Sequence, residues 1–193
     1  MKYFLTGTFV IFLIYLSPPS RAMDELTSTT TPHQYVRGTL CANPDAVVFS
    51  CPLEKSKKIV SLCASRNTTH YAFYYAFGNP NNVEMSYPTK RESSSNSFEL
   101  SDLFFPGATG GYAYSFERQN YKYILYSISG TSFDISGVLV QHKGDLRARS
   151  DMRCQHGKLE ENSDKKIQNS INSWRQDLDI DQHGLPHIPR KSH

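Results

Sequence analysis

Between residues 35 and 154, hydrophobic positions come in short runs separated by clusters of Gly, Pro, Asn and Ser. Within the runs, apolar and polar positions often alternate with period two. That pattern predicts β-strands, whose successive side chains face opposite sides of a sheet. Runs at 47–51 and 59–64 flank the polar stretch 53–58 and read as a hairpin. Residues 71–77 (YAFYYAF) form a dense aromatic strand that stops at the turn 78–82, and 83–87 follows it. Tyr112, Tyr114 and Phe116 alternate along 110–116, and Tyr121, Tyr123 and Leu125 along 121–129, with Ile124, Tyr126 and Ile128 on the opposite face. Joined at 117–120, these two runs give the strongest hairpin signal in the chain. A last hairpin links 137–141 to 146–149, whereas 98–105 fits a strand or a short helical turn. No alternation of strands with helices appears. The pattern therefore predicts a mainly all-β fold, an antiparallel meander of about seven or eight strands closed as a sandwich or barrel.

The two ends differ from this middle. Residues 3–16 are apolar apart from Thr6, Gly7 and Thr8, follow Lys2, and end at Pro18-Pro19 before Ser20-Arg21-Ala22. This is the layout of a signal peptide spanning 1–22; an uncleaved anchor is the alternative. The run is short of the ~20 residues that span a bilayer, so no stable membrane span is expected after cleavage. Residues 23–34 are polar and Thr-rich, a flexible leader. After Cys154 the chain is polar again, and 155–193 reads as a tail. Ile167, Ile171, Trp174 and Leu178 recur at helical spacing, so 164–178 is expected to form one amphipathic helix, with 179–193 disordered.

Export changes the meaning of the four cysteines, Cys41, Cys51, Cys63 and Cys154. In an oxidising compartment they read as two disulfides, which removes them from nucleophilic and metal-binding chemistry. Four cysteines allow three connectivities. Cys51 and Cys63 lie on the two arms of the first hairpin and face each other if its turn centres on Lys57. That pairing leaves Cys41 to Cys154, bracketing the expected β domain 35–154. Loss of Lys2 and Arg21 with the signal would leave 19 basic residues against 18 acidic ones. Such a balance gives no electrostatic case for nucleic acid.

Motifs for chemistry are sparse. No Gly-x-Ser-x-Gly, His-Glu-x-x-His or phosphate-binding loop occurs, and 107–111 is a glycine-rich turn. Asp177, Asp179 and Asp181 are spaced like calcium ligands, but Gln182 and Ile188 stand where such a loop needs Gly and Glu. His183 and His187 are separated by Gly184 and Pro186, which break the helix that would align them. No metal or cofactor is expected. Glu84, Glu99, Asp102 and Asp134 are the carboxylates available to a secreted glycosidase, and each also suits a solvated face. Asn67-Thr68-Thr69 is a glycosylation sequon. Tyrosine is the remaining signal. Exposed tyrosines offer rigid contact area to a protein or a sugar ring, although strands favour the residue in any case. Tyr112, Tyr114, Glu117, Arg118, Tyr121 and Tyr123, on and around the best hairpin, are the candidate partner-binding residues, and the loop 90–97 is a second candidate protrusion.

Several strings occur together: Phe49-Ser50-Cys51-Pro52, Lys58-Ile59-Val60-Ser61-Leu62-Cys63, Tyr74-Tyr75-Ala76-Phe77-Gly78, Met85-Ser86-Tyr87-Pro88 and Gly137-Val138-Leu139-Val140. In this combination the chain resembles a group of small exported, disulfide-containing, β-rich proteobacterial proteins over about residues 41–154. The resemblance carries no catalytic motif. Small periplasmic proteins of this design are often immunity or inhibitor proteins, which occlude a cell-envelope-degrading toxin of the type VI secretion kind. A periplasmic or secreted, non-enzymatic binding protein is the expectation that follows. An envelope carbohydrate-binding module using the same tyrosines is the alternative, and a small secreted hydrolase comes third.

Overall fold

The computed structural model describes residues 35–66, 70–90 and 96–187. The expected signal peptide and leader, the sequon at Asn67 and most of the 90–97 loop lie outside the described residues. Along the chain run β1 (Ala46–Pro52), β2 (Ile59–Arg66), β3 (Tyr71–Asn79), β4 (Asn82–Tyr87), β5 (Glu99–Phe105), β6 (Thr109–Arg118), β7 (Tyr121–Gly130), β8 (Phe133–His142) and β9 (Ala148–Arg153). The short β10 (Glu160–Glu161), α1 (Lys165–Ile171), β11 (Arg175–Gln176) and α2 (Leu178–His183) follow. The strands form two sheets, in the orders β10-β1-β2-β3-β4 and β11-β5-β6-β7-β8-β9. Pairing is antiparallel throughout except for β11 on β5, so the fold is an all-β sandwich of two meanders. The stretch 98–105 resolves as strand, because β5 pairs with β6 along seven positions from Glu99↔Ser115 to Phe105↔Thr109.

Alternation decides what lies between the layers. Val48, Val60, Leu62, Phe73 and Tyr75 from the first sheet meet Leu100, Tyr114, Phe116, Leu125 and Val138 from the second in one buried cluster. The alternation of Tyr114, Phe116 and Leu125 against Ile124, Tyr126 and Ile128 holds in the structure, and the second set lies in a separate cluster with Leu139 and Ile180 on the outer face. Residues 36–45 cover the outer face of the first sheet, where Val36 and Val47 pack on Cys41, Cys63 and Tyr74. There the Tyr74 hydroxyl accepts from the Ala42 amide at 2.8 Å and donates to Asp45.

The disulfides pair Cys41 with Cys63 and Cys51 with Cys154, not as the hairpin suggested. Register explains the correction. Cys51 lies opposite Val60 and Pro52 opposite Ile59, so the turn centres between residues 55 and 56 and not on Lys57. Cys51 then shares the interlayer face with Val60 and Leu62, whereas Cys63 points to the outer face. Side chains on opposite faces of a sheet cannot bridge. Cys63 instead meets Cys41 in the covering segment, and Cys51 meets Cys154 just after β9. Two disulfides fit an oxidising environment. Among the described residues, no helix is long and apolar enough to cross a membrane.

Residues 155–187 are part of the sandwich and not a loose tail. β10 extends the first sheet, and β11 extends the second. Between them α1 buries Ile167 and Ile171, and Trp174 packs edge-on to Phe73 at 4.8 Å and stacks on Phe98 at 5.3 Å. The expected single helix over 164–178 is therefore only the short α1, followed by β11, and a second helix, α2, starts at the far edge of that span. The Trp174 contacts and the β11 ladder take the chain out of helical geometry, and Asp177 caps a new helix by accepting from the Ile180 amide. Ile180 is buried on the second sheet's outer face with Leu185 packed against the same cluster, and Pro186 is buried too, so 179–187 is ordered as well.

Candidate functional site

Cross-strand rows show how the inner face of the second sheet changes along its length. Deep in the core, one row aligns Leu100, Tyr114, Leu125 and Val138 across β5 to β8, all buried. The next row toward one end aligns Asp102, Tyr112, Ser127 and Ser136, and the end row aligns Phe104, Gly110, Ser129 and Asp134. Positions two apart on a strand face the same side, so these two rows continue the core face. Apart from Phe104 they are polar or small, and exposure rises along them: Phe104, Ser129 and Asp134 are exposed, and Ser127 and Ser136 half-buried.

Opposite these rows, the segment after β9 supplies the other wall of a cleft of about 430 Å³. Its lining includes Ser127, Ser129, Asp134 and Ser136 from the sheet, and His156, Gly157 and Glu161 from the wall, with Glu54 and Arg153 at one side. That volume suits a small ligand or one long side chain. Tyr112 ties the two walls together by donating its hydroxyl to Glu161. Burial first, then the neighbouring Tyr114 and Glu161, hold the Tyr112 phenol far above its ordinary pKa, so it stays a proton donor.

Two hairpin tips flank this end. The β5–β6 turn carries Phe104 and Phe105, 86% and 39% exposed, and the β7–β8 turn carries Phe133, 44% exposed. The tips are neighbours, since Gly110 pairs with Ser129 just inside them. Gly107 and Ala108 complete the first turn with φ of 78° and 53°, the left-handed backbone that a tight reversal needs.

The residues singled out from the sequence are divided by the fold. Tyr114 is 4% exposed and packs edge-on to Trp174, and Tyr123 stacks on Phe116 at 5.0 Å, so both serve the core. Tyr112 is half-buried at the cleft. Glu117, Arg118 and Tyr121 sit together at the far end of the same sheet, where Glu117 pairs with Lys143 and Tyr121 packs edge-on to His142. Of the carboxylates, Glu84 pairs with Lys58 at 2.7 Å and Glu99 with Arg175 at 3.1 Å. Asp102 and Asp134 lie three strand spacings apart, roughly 14 Å, beyond the ~5–9.5 Å of a glycosidase pair.

Two of the three aspartates read against a calcium loop, Asp177 and Asp179, hold the C-terminal strap to the sheet. Asp177, 1% exposed, accepts from Lys122 at 2.6 Å and from Ser115, and Asp179 reaches the same ammonium at 3.2 Å. Burial alone would lower the Lys122 pKa, but hydrogen bonds and charges from Asp177 and Asp179 outweigh it and hold the group above its ordinary range. The capping signal was present in the sequence, as an Asp before a short apolar-periodic stretch with acidic residues in its first turn and Gly184 at its end. Phe104-Phe105 directly before Pro106-Gly107 was likewise legible as an apolar pair forced into a turn. Nothing in the spacing marked Ser127, Ser129, Ser136 or Glu161. Among the described residues no cluster of His, Cys, Asp or Glu is arranged to hold a metal ion. Comparison with protein-family models, curated proteins and solved structures finds no match to this chain.

Proposed function

We propose that the chain is a non-enzymatic periplasmic or secreted binding protein of the immunity or inhibitor kind, which occludes a cell-envelope-degrading enzyme. The observation that carries this is the exposure of Phe104, Phe105 and Phe133 on two adjacent hairpin tips. Exposed aromatic clusters on a rigid scaffold are characteristic of protein-binding surfaces, where a few aromatic anchors supply most of the affinity. The tips stand on strands held by the ladders β5–β6–β7–β8, so they are presented with little entropy to lose on docking. The resemblance to small exported proteins supports the same reading, as do the two disulfides. Docking would place the tips in the partner's cleft.

The test is capture from envelope and secreted extracts with the oxidised protein, followed by a turnover assay of whatever is captured. Stoichiometric recovery of one envelope hydrolase whose activity falls on binding supports the proposal. Recovery of glycan alone, or hydrolysis of an envelope polymer by the protein itself, overturns it.

A further inference from the structure

We infer that the unpartnered end of the second sheet's inner face receives a basic side chain, arginine or lysine, of a protein partner. The inference rests on the docking role proposed above and names the chemistry of its contact. Two observations choose this occupant. The first is charge. Glu54, Asp134 and Glu161 line the cleft, and Asp102 lies in the adjoining cross-strand row. The lining's basic residues are Arg153, which is paired with Asp151 at 2.9 Å, and His156. A surface with this excess of carboxylates is complementary in charge to a cationic side chain.

The second observation is the order of surface types. Apolar tips at Phe104, Phe105 and Phe133 stand directly beside the acidic cleft, and Phe133 immediately precedes Asp134 on β8. A partner surface complementary to this carries an apolar patch with a basic residue next to it. A guanidinium or ammonium entering beside Asp134 would meet one carboxylate on the sheet and another, Glu161, on the facing wall. Tyr112 holds Glu161 in that wall through its hydroxyl. Ser127, Ser129 and Ser136 offer hydroxyl acceptors to the remaining N–H groups. A neutral saccharide fits less well. The lining contains no Phe, Tyr or Trp on which a sugar ring could stack.

Backbone NMR of the oxidised protein tests this with three probes: N-acetylarginine amide, N-acetylglutamate amide and an N-acetylglucosamine trimer. The expected result is a saturable shift of the Ser127, Ser129, Asp134 and Ser136 amides by the arginine probe alone. It should weaken about tenfold or more in Asp134→Asn/Glu161→Gln, as loss of charge-assisted bonds requires. Both positions are exposed, so the variant should keep the fold, which its unchanged spectrum elsewhere verifies. Shifts of the same amides by the saccharide, or no shift by the arginine probe, overturn the inference. The captured partner separates this from the docking role. A partner that binds the double variant as tightly as wild type refutes the basic contact and leaves the docking role standing. Arginine binding without any protein partner removes the docking role and leaves the cation site standing.

Discussion

Replacing Asp177 with Ala should destabilise the fold by about 4 kcal/mol, the usual cost of leaving one member of a buried ion pair without its partner. The magnitude follows from what the side chain touches. Lys122 is 5% exposed, and its ammonium would keep only the half-exposed Asp179 carboxylate at 3.2 Å. Ser115 would lose its acceptor, and the Ile180 amide its cap. A cap alone is worth about 1 kcal/mol, but one carboxylate makes all these contacts, so the terms overlap and do not add. Guanidinium denaturation with the disulfides intact reads the total. Hydrogen exchange should place the loss first in α2, at Asp181 and Gly184, while the β6–β7 ladder stays protected. The double variant Lys122→Met/Asp177→Asn should be more stable than Asp177→Ala, because it leaves no unpaired buried charge. A loss below about 1 kcal/mol, the worth of an exposed pair, would show that the clamp is hydrated and refute the reasoning.

The same clamp has a pH signature. A raised lysine pKa means that the native state keeps a proton which the unfolded chain releases. Its contribution is complete below about pH 10.4 and is lost as pH rises through the folded value; a melting series from pH 8 upward should show this decline in wild type and not in Lys122→Met. Removing the Cys51–Cys154 bridge, which spans 103 residues, should cost about 4–5 kcal/mol in the chain-entropy model. Removing Cys41–Cys63, which spans 22, should cost nearer 3 kcal/mol, and paired Cys→Ala variants compared by denaturation check the order. Trp174→Ala should cost about 3–5 kcal/mol by emptying the aromatic cluster with Phe73, Phe98 and Tyr114, also read by denaturation. A loss near zero would mean that the C-terminal strap does not close the core.

The strands were legible because each buries one face, which imposes period two on 110–116 and 121–129 and sorts Tyr114 from Ala113 in the sequence alone. The disulfide pairing was not legible. It depends on turn register, and a shift of the hairpin centre from Lys57 to between residues 55 and 56 leaves Cys51 and Cys63 on opposite faces. The C-terminal strap was misread for a related reason. The helical spacing marks Ile167, Ile171 and Trp174 as one apolar face but not what covers it, and these residues and Ile180 land on surfaces supplied by distant strands. Tyr114 and Tyr123 lie in the core while Tyr121 is exposed, because alternation assigns a face without saying which part of it is covered. What exposes Phe104 and buries Tyr114, on neighbouring strands of one face, is where the opposing layer ends, a property of the tertiary arrangement alone.

The measurement closest to the central claim compares the two ends of the second sheet. Affinity for the captured partner would be measured for Phe104→Ser/Phe133→Ser and for Arg118→Ser/Tyr121→Ser, all four positions being solvent-exposed. Binding through the phenylalanine tips predicts at least a 30-fold loss for the first variant, about 2 kcal/mol for a hot-spot pair, and unchanged affinity for the second. The reverse pattern would contradict it and move the contact to the β6–β7 tip.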